Sequence, residues 1–303
     1  MDTEKILILG VTAGGKGKLA FELAKKIDAE IVSIDSMKVY RRMDIGTAKP
    51  SKERQQQVKY HLVDVVDPSE SFSVDKFISL TNEAIELIQS KGRPIVAVGG
   101  TAMYIKALLY GLFAGPGSDD AIREKLKEQI RVEGSGPLHK RLSSVDPVAA
   151  ERIHTNDQRR IIRALEVFEL TGRGISSFQT QFDAPGPGGG WKTIGLRREK
   201  DDASGRINAR VKGMIEAGLV DEVKALLAEP QPLSDQARSA IGYAEIIEYI
   251  NGVLTLDEAI EQIKINTRKF AKGQRTWFKT FKQVQWLDIK EDDNVENMLE
   301  NIK

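Results

Sequence analysis

The sequence predicts an α/β protein: a doubly wound parallel sheet of the phosphate-loop type, with an all-helical insertion and a helical C-terminal part. Three observations predict it. Ile6-Leu7-Ile8-Leu9 reads as a buried strand and runs straight into Gly10-Val11-Thr12-Ala13-Gly14-Gly15-Lys16-Gly17. That segment fits the phosphate-binding pattern G-x-x-x-x-G-K-[ST] at every defined position except the last, where Gly17 replaces the hydroxyl. Pro94–Thr101 is an uninterrupted apolar run of the kind buried on both faces of a parallel sheet. Finally, strand and helix alternate as far as Gly115, where helical patterns take over.

The elements follow in order. Behind the loop, Leu19, Leu23 and Ile27 lie four apart on one face of a helix opened by Lys16. Ala29–Asp35 forms the second strand, and Ser73–Gln89 a helix with Ser73 as its cap and Gly92 beyond its end. Doubly wound sheets bind ligands at the carboxyl ends of their strands. Gly10–Gly17, Asp35 and Thr101 all sit at such ends, so they are expected to converge on one crevice. Ser118–Val132 carries Ile122, Leu126 and Ile130 on one stripe and stops at Gly134. Asp146-Pro147 is a helix start, and Asp157–Leu170 is a helix closed by Gly172. The run Ala184–Gly190 reads as a linker or exposed loop. The insertion therefore covers 115–188 and the core 1–114 with 189–303. Trp191–Leu196 returns to the sheet. Helices are expected over Asp202–Ala217, Val220–Ala228, Ala237–Ile250 and from Thr255, where Thr255 and Glu258 have capping-box spacing. Ile260, Ile263, Phe270, Trp277 and Phe281 would be the buried side of that last helix.

Composition excludes several classes. Lysine and arginine number 45 against 44 acidic residues, so any nucleic-acid surface must arise from local clustering. No cysteine is present, which removes disulfides and thiolate metal sites. No apolar stretch is long enough to span a bilayer and no leader segment is evident, so a soluble cytoplasmic enzyme without membrane contact is expected; a monomer is also expected. His61, His139 and His154 lack metal-ligand spacing and read as structural.

An aspartate at a strand end is most often a cap or ion-pair partner. Facing a phosphate loop, Asp35 is also suited to be a general base or a metal contact. The polar stretch after it, with Lys38, Arg41 and Arg42, suits a loop that touches an anionic substrate.

The phosphate loop, Asp35-Ser36-Met37 running on to Met43-Asp44-Ile45-Gly46-Thr47-Ala48-Lys49-Pro50, His61-Leu62-Val63-Asp64 and Asp67–Ser73 closely resemble the tRNA dimethylallyltransferases. The resemblance continues, in collinear order, through Val98–Thr101 with Tyr104, Asp146-Pro147, Asp157 with Arg159–Val167, Gly218–Val223, Ala240–Tyr243, and Thr267-Arg268 through Gln274 to Trp277-Phe278. That family moves a dimethylallyl group from its pyrophosphate to the exocyclic N6 of an adenine beside the anticodon. The resemblance implies tRNA and dimethylallyl pyrophosphate as partners and Mg²⁺ as cofactor, with Asp35 a candidate ligand.

The residues suit that reaction. Gly10, Thr12, Ala13, Gly14, Gly15, Lys16 and Gly17 would hold the leaving pyrophosphate, joined by Arg206 and Arg210, which are four apart on one helix face. Asp35, Thr101 and Lys16 are the catalytic candidates. Asp35 would accept the N6 proton, and Thr101 would hold the same base or shape the channel. Asp35, Ser36, Met37 and Lys38, with Arg123, Arg159, Arg160, Ile161, Ile162 and Arg163 of the insertion, are the tRNA-binding candidates. Arg159, Arg160 and Arg163 cluster opposite Ile161, Ala164, Leu165 and Phe168 on a helical wheel, which leaves them for RNA phosphates or for solvent. Part of the basic run from Lys264 to Lys282 would also face RNA.

The chain departs from the family pattern at Gly17, Gly14, Ala102, Ala244 and Gly273. Gly17 matters most. Magnesium would then be held by pyrophosphate oxygens, water and carboxylates such as Asp35, or Lys18 would stand in for it, or the chemistry would be lost and RNA binding kept. A catalytically weakened tRNA-binding paralogue and a phosphate-loop small-molecule kinase are the alternatives. A kinase depends on well-held Mg²⁺, and Gly17 argues against it.

Overall fold

The computed structural model describes residues 4–112, 115–178, 190–290, 293–300 and 302. The chain divides into two compact units, Met1–Leu108 with Gly190–Lys303, and Leu109–Gly189. Of the Gly/Pro-rich run expected as a linker, 184–189 lie outside the described residues.

In the larger unit the chain forms β1 (Lys5–Gly10), α1 (Lys16–Lys26), β2 (Glu30–Ile34), α2 (Lys52–Gln57), β3 (Tyr60–His61), α3 (Val74–Ser90) and β4 (Ile95–Gly99), then α4 (Ala102–Tyr110). The insertion holds α5 (Asp120–Glu133), α6 (Ser135–Val145), α7 (Pro147–Arg152) and α8 (Gln158–Thr171). The larger unit resumes with β5 (Trp191–Arg198), α9 (Lys200–Glu216), α10 (Leu219–Leu227), α11 (Asp235–Arg238), α12 (Tyr243–Ile250), α13 (Leu256–Phe278), β6 (Gln285–Ile289) and α14 (Val295–Glu300).

The six strands order as β3-β2-β4-β1-β5-β6, and every pairing is parallel. Leu7, Ile8 and Leu9 of β1 are fully buried, as a central strand covered on both faces requires. From β1 the chain steps outward to β2, returns to β4 between them, then crosses to β5 on the opposite side. The carboxyl end of β1 is thus a point where the winding reverses, and ligands bind there. One core cluster joins β1, β2, β4 and β5 to α1 and α14. A separate cluster around Leu126, Leu142, Ile161 and Leu165 holds the insertion together.

Some sequence expectations are corrected. Ala237–Ile250 is not one helix; it breaks at Gly242, which takes φ +97° before α12 begins. The terminal helix ends at Phe278, and the chain then adds β6 as an edge strand of the sheet. Ile263 and Phe281 are buried as expected, but Phe270 is 47% exposed, because Ala271 and Gln274 occupy the inward face at that level. Among the described residues no helix is long and apolar enough to cross a membrane.

Candidate active site

The loop between β1 and α1 is shaped by its glycines and gripped by cations. Gly15 takes φ +94° just before the helix, a conformation that favours glycine. Four consecutive loop residues each accept a hydrogen bond from a cationic side chain. Lys16 Nζ donates to the Val11 carbonyl (3.0 Å), Arg210 Nη1 to Thr12 Oγ1 (3.1 Å), Arg206 Nε to the Ala13 carbonyl (3.0 Å) and Arg198 Nε to the Gly14 carbonyl (3.2 Å). From α13, Gln274 Oε1 accepts the Thr12 amide (2.8 Å) and its Nε2 donates to the Gly100 carbonyl (2.8 Å), fastening the loop to the end of β4. With three carbonyls and the Thr12 hydroxyl occupied by cations, the loop residues are held in one conformation, and their remaining amides can receive an anion.

Sequence reasoning placed Lys16, Arg206 and Arg210 here, and the structure brings them together. It did not identify Arg198. The available signal was position: Arg198 ends β5, the strand beside β1, just as Asp35 follows β2. Asp202 neutralises Arg198 at 2.7 Å. Arg198 is thus a brace, and the uncompensated charge belongs to Lys16, Arg206 and Arg210.

The electrostatics reflect that surplus. The Lys16 ammonium is held down to about 7, first by burial, then by Lys38 and Arg210, with Asp35 opposing. Burial also lowers Lys38, with Arg210 and Lys49 adding to it and Asp35 opposing. Arg210 is lowered by burial and by Arg206, again with Asp35 opposing. Asp35 is the acidic group that acts on all three.

Asp35 is rigidly held. Its Oδ1 accepts the amides of Met37 (2.9 Å) and Lys38 (3.2 Å), so it caps its own turn. Among the described residues its other carboxylate oxygen accepts no hydrogen bond. Thr101 Oγ1 accepts the Ser36 amide (3.1 Å) and donates to Ser36 Oγ at 3.5 Å. The hydroxyl of Thr101 therefore ties the end of β4 to the turn that carries Asp35. The cap and the candidate base are one residue with two oxygens, each with its own task.

The stretch beyond is anchored from the C-terminal helices. The Glu222 carboxylate accepts the amides of Asp44 (2.9 Å), Ile45 (2.8 Å) and Gly46 (3.3 Å), and the Tyr243 hydroxyl donates to it at 2.6 Å. Gly46 lies flat on the Tyr243 ring, and a Cβ there would come within 2.4 Å of it. Lys49 Nζ donates to Tyr40 O (2.5 Å), Asp44 Oδ1 (2.6 Å) and Asp64 Oδ1 (2.6 Å). These contacts give Ile45-Gly46-Thr47-Ala48-Lys49 a structural reading that the sequence did not reveal.

In the insertion the candidate RNA residues separate into two groups. Asp157 caps α8 through the Arg160 amide, and Arg159 and Arg160 are exposed. Arg163 is occupied. It donates to the carbonyls of Pro116 (2.6 Å) and Gly117 (2.9 Å) and to Glu166 (2.7 Å). Arg123 pairs with the same fully buried Glu166 at 2.9 Å. Arg163 and Arg123 both neutralise a buried carboxylate, whose ionisation they favour against the cost of burial, so each already has a partner within the insertion. Ile161 is fully buried and Ile162 packs on the same core, so they hold the helix in place. Arg163→Ala should lower the insertion's stability by about 1–3 kcal/mol, because it leaves Glu166 and two carbonyls short of a donor. Thermal unfolding followed by circular dichroism reads this directly, and an unchanged midpoint would contradict it.

The residues fit a protein-held magnesium ion poorly. Position 17 offers no oxygen, and Asp35 sits among Lys16, Lys38 and Arg210 with one oxygen already committed. Magnesium prefers one or two carboxylates together with phosphate and water.

Fold and site together define a phosphate-loop α/β protein with a strongly cationic anion site beside a fixed strand-end carboxylate. A family model described as IPP transferase matches residues 38–281, and one described as isopentenyl transferase matches 3–65. The tRNA dimethylallyltransferase of Geobacter metallireducens is 46% identical over 94% of this chain and 93% of its own. The structure of the full-length tRNA isopentenylpyrophosphate transferase from Bacillus halodurans superposes with TM-score 0.71 at 40% identity, covering 99% of this chain and 94% of that one. A eukaryotic dimethylallyltransferase acting on tRNA gives TM-score 0.77 at 27% identity over 95% of this chain and 74% of its own. The chain belongs to the tRNA dimethylallyltransferase family.

Proposed function

We propose that this chain transfers a dimethylallyl group from dimethylallyl pyrophosphate to N6 of an adenine beside the anticodon of tRNA, acting in the cytoplasm. The observation that carries the reading is the row of cationic side chains on the phosphate loop next to Asp35. An allylic pyrophosphate departs readily once its charge is neutralised, because the carbon left behind is a resonance-stabilised cation. Lys16, Arg206, Arg210 and the loop amides are suited to that neutralisation. The N6 amine is a poor nucleophile, its lone pair being delocalised into the ring. Asp35 takes up its proton as the carbon–nitrogen bond forms and the carbon–oxygen bond to pyrophosphate breaks. Ser36 and Thr101 keep the carboxylate in place. Purified protein incubated with unmodified tRNA and labelled dimethylallyl pyrophosphate should yield labelled tRNA. Label that stays in the pyrophosphate fraction would reject the reading.

The exposed guanidinium groups of Arg159 and Arg160 support an RNA-facing role for the start of α8, since single-stranded loops are held through their phosphates while bases are read at their edges. Changing both to alanine should weaken tRNA binding and reduce its log–log salt slope by roughly 1.5. Pyrophosphate binding should not change. A slope equal to that of the unaltered protein would leave these arginines as solvated surface.

A further inference from the structure

The geometry points to metal-independent pyrophosphate capture in this chain: Lys16, Arg206 and Arg210 neutralise the anion in place of a magnesium ion held by the protein. This rests on the reading of the loop as the pyrophosphate site and concerns how that site works.

Position 17 is the first part of the argument. Gly17 lies in the first turn of α1, exposed, and a Cβ built on it would meet nothing within 4 Å. It is not a glycine that the backbone demands. The helix start has kept its form, and all that is missing is an oxygen at the place where a phosphate-loop hydroxyl binds the ion.

The second part is charge. Among the described residues, three of the four cations bonded to the loop form no ion pair with an acidic side chain, whereas Arg198 is paired with Asp202. Lys38 adds a further positive group nearby, and among the described residues Asp35 is the acidic group that acts on Lys16, Lys38 and Arg210. A divalent cation at Asp35 would enter a region that already carries surplus positive charge, whereas a multiply charged anion would relieve it. The downward shifts of Lys16, Lys38 and Arg210 agree with a site built to wait for an anion.

The test is calorimetric titration of the full-length protein with inorganic pyrophosphate, in excess Mg²⁺ and in EDTA. Wild type should bind with dissociation constants within about threefold of each other in the two buffers. Gly17→Ser, which has room for its side chain, should bind about tenfold more tightly with Mg²⁺ than in EDTA. Arg210→Gln should lose about tenfold in both buffers. Loss of wild-type affinity by tenfold or more in EDTA would overturn the inference. So would a Gly17→Ser protein that gains nothing from the metal, or an absence of pyrophosphate binding in either buffer. Metal-free capture without any transfer to tRNA would keep this inference and reject the transferase reading. Transfer accompanied by pyrophosphate binding that collapses in EDTA would reject this inference alone.

Discussion

Asp35→Asn should lower the rate of dimethylallyl transfer at least about 100-fold while leaving tRNA affinity within a factor of about three. The substitution keeps the shape and an oxygen that can still accept the amides of Met37 and Lys38. Turn geometry should therefore survive, and the loss isolates the proton-accepting oxygen. Single-turnover transfer with tRNA in excess reads the chemical step. A rate within twofold of wild type would confine Asp35 to its capping role. Thr101 acts on the same turn through Ser36, so Thr101→Val should slow transfer less than Asp35→Asn does.

Lys16→Met should have opposite effects on activity and stability. Removing the ammonium beside the leaving group should cost about 10²–10³ in transfer rate, the magnitude typical of losing one donor that stabilises developing negative charge. The ligand-free protein should nevertheless become more stable near neutral pH, because a buried ammonium with no ion-pair partner among the described residues is replaced by a flexible apolar chain of similar length. The sign of the pH dependence follows. In the folded protein Lys16 titrates at about 7 against an ordinary value of 10.5, so between these values the unfolded chain binds more protons. Its contribution to stability therefore rises with pH across that window, and it is least favourable below pH 7, where the folded protein must carry the charge. Denaturant titrations from about pH 6 to about pH 9 should show this rise in wild type and not in Lys16→Met. Parallel curves would mean that Lys16 does not sense the site.

What was legible in the sequence is what local rules decide. Ser73, Asp146 and Thr255 each accept an amide three residues on, so the starts of their helices could be placed from cap signals alone. The phosphate loop and Asp35 were legible because both lie at strand ends, and the topology brings such ends together. What was missed depends on contacts between distant segments. Glu222 clamps Asp44 and Gly46 from 178 and 176 residues away in the chain. Arg198 reaches Gly14 across the sheet, and Arg163 turns to carbonyls of Pro116 and Gly117, although helical periodicity placed it on the solvent side. The edge strand β6 has only one buried residue, Ile289, so its sequence carries little of the apolar signal that marks a central strand.

The most direct measurement is transfer from labelled dimethylallyl pyrophosphate to two anticodon stem-loops. One carries adenine at the target position. The other carries purine, which lacks the exocyclic amine. Nuclease digestion should place the label on the target adenosine of the first RNA and nowhere in the second. Label in both RNAs, or in neither, would contradict the assignment of this site to N6 prenylation.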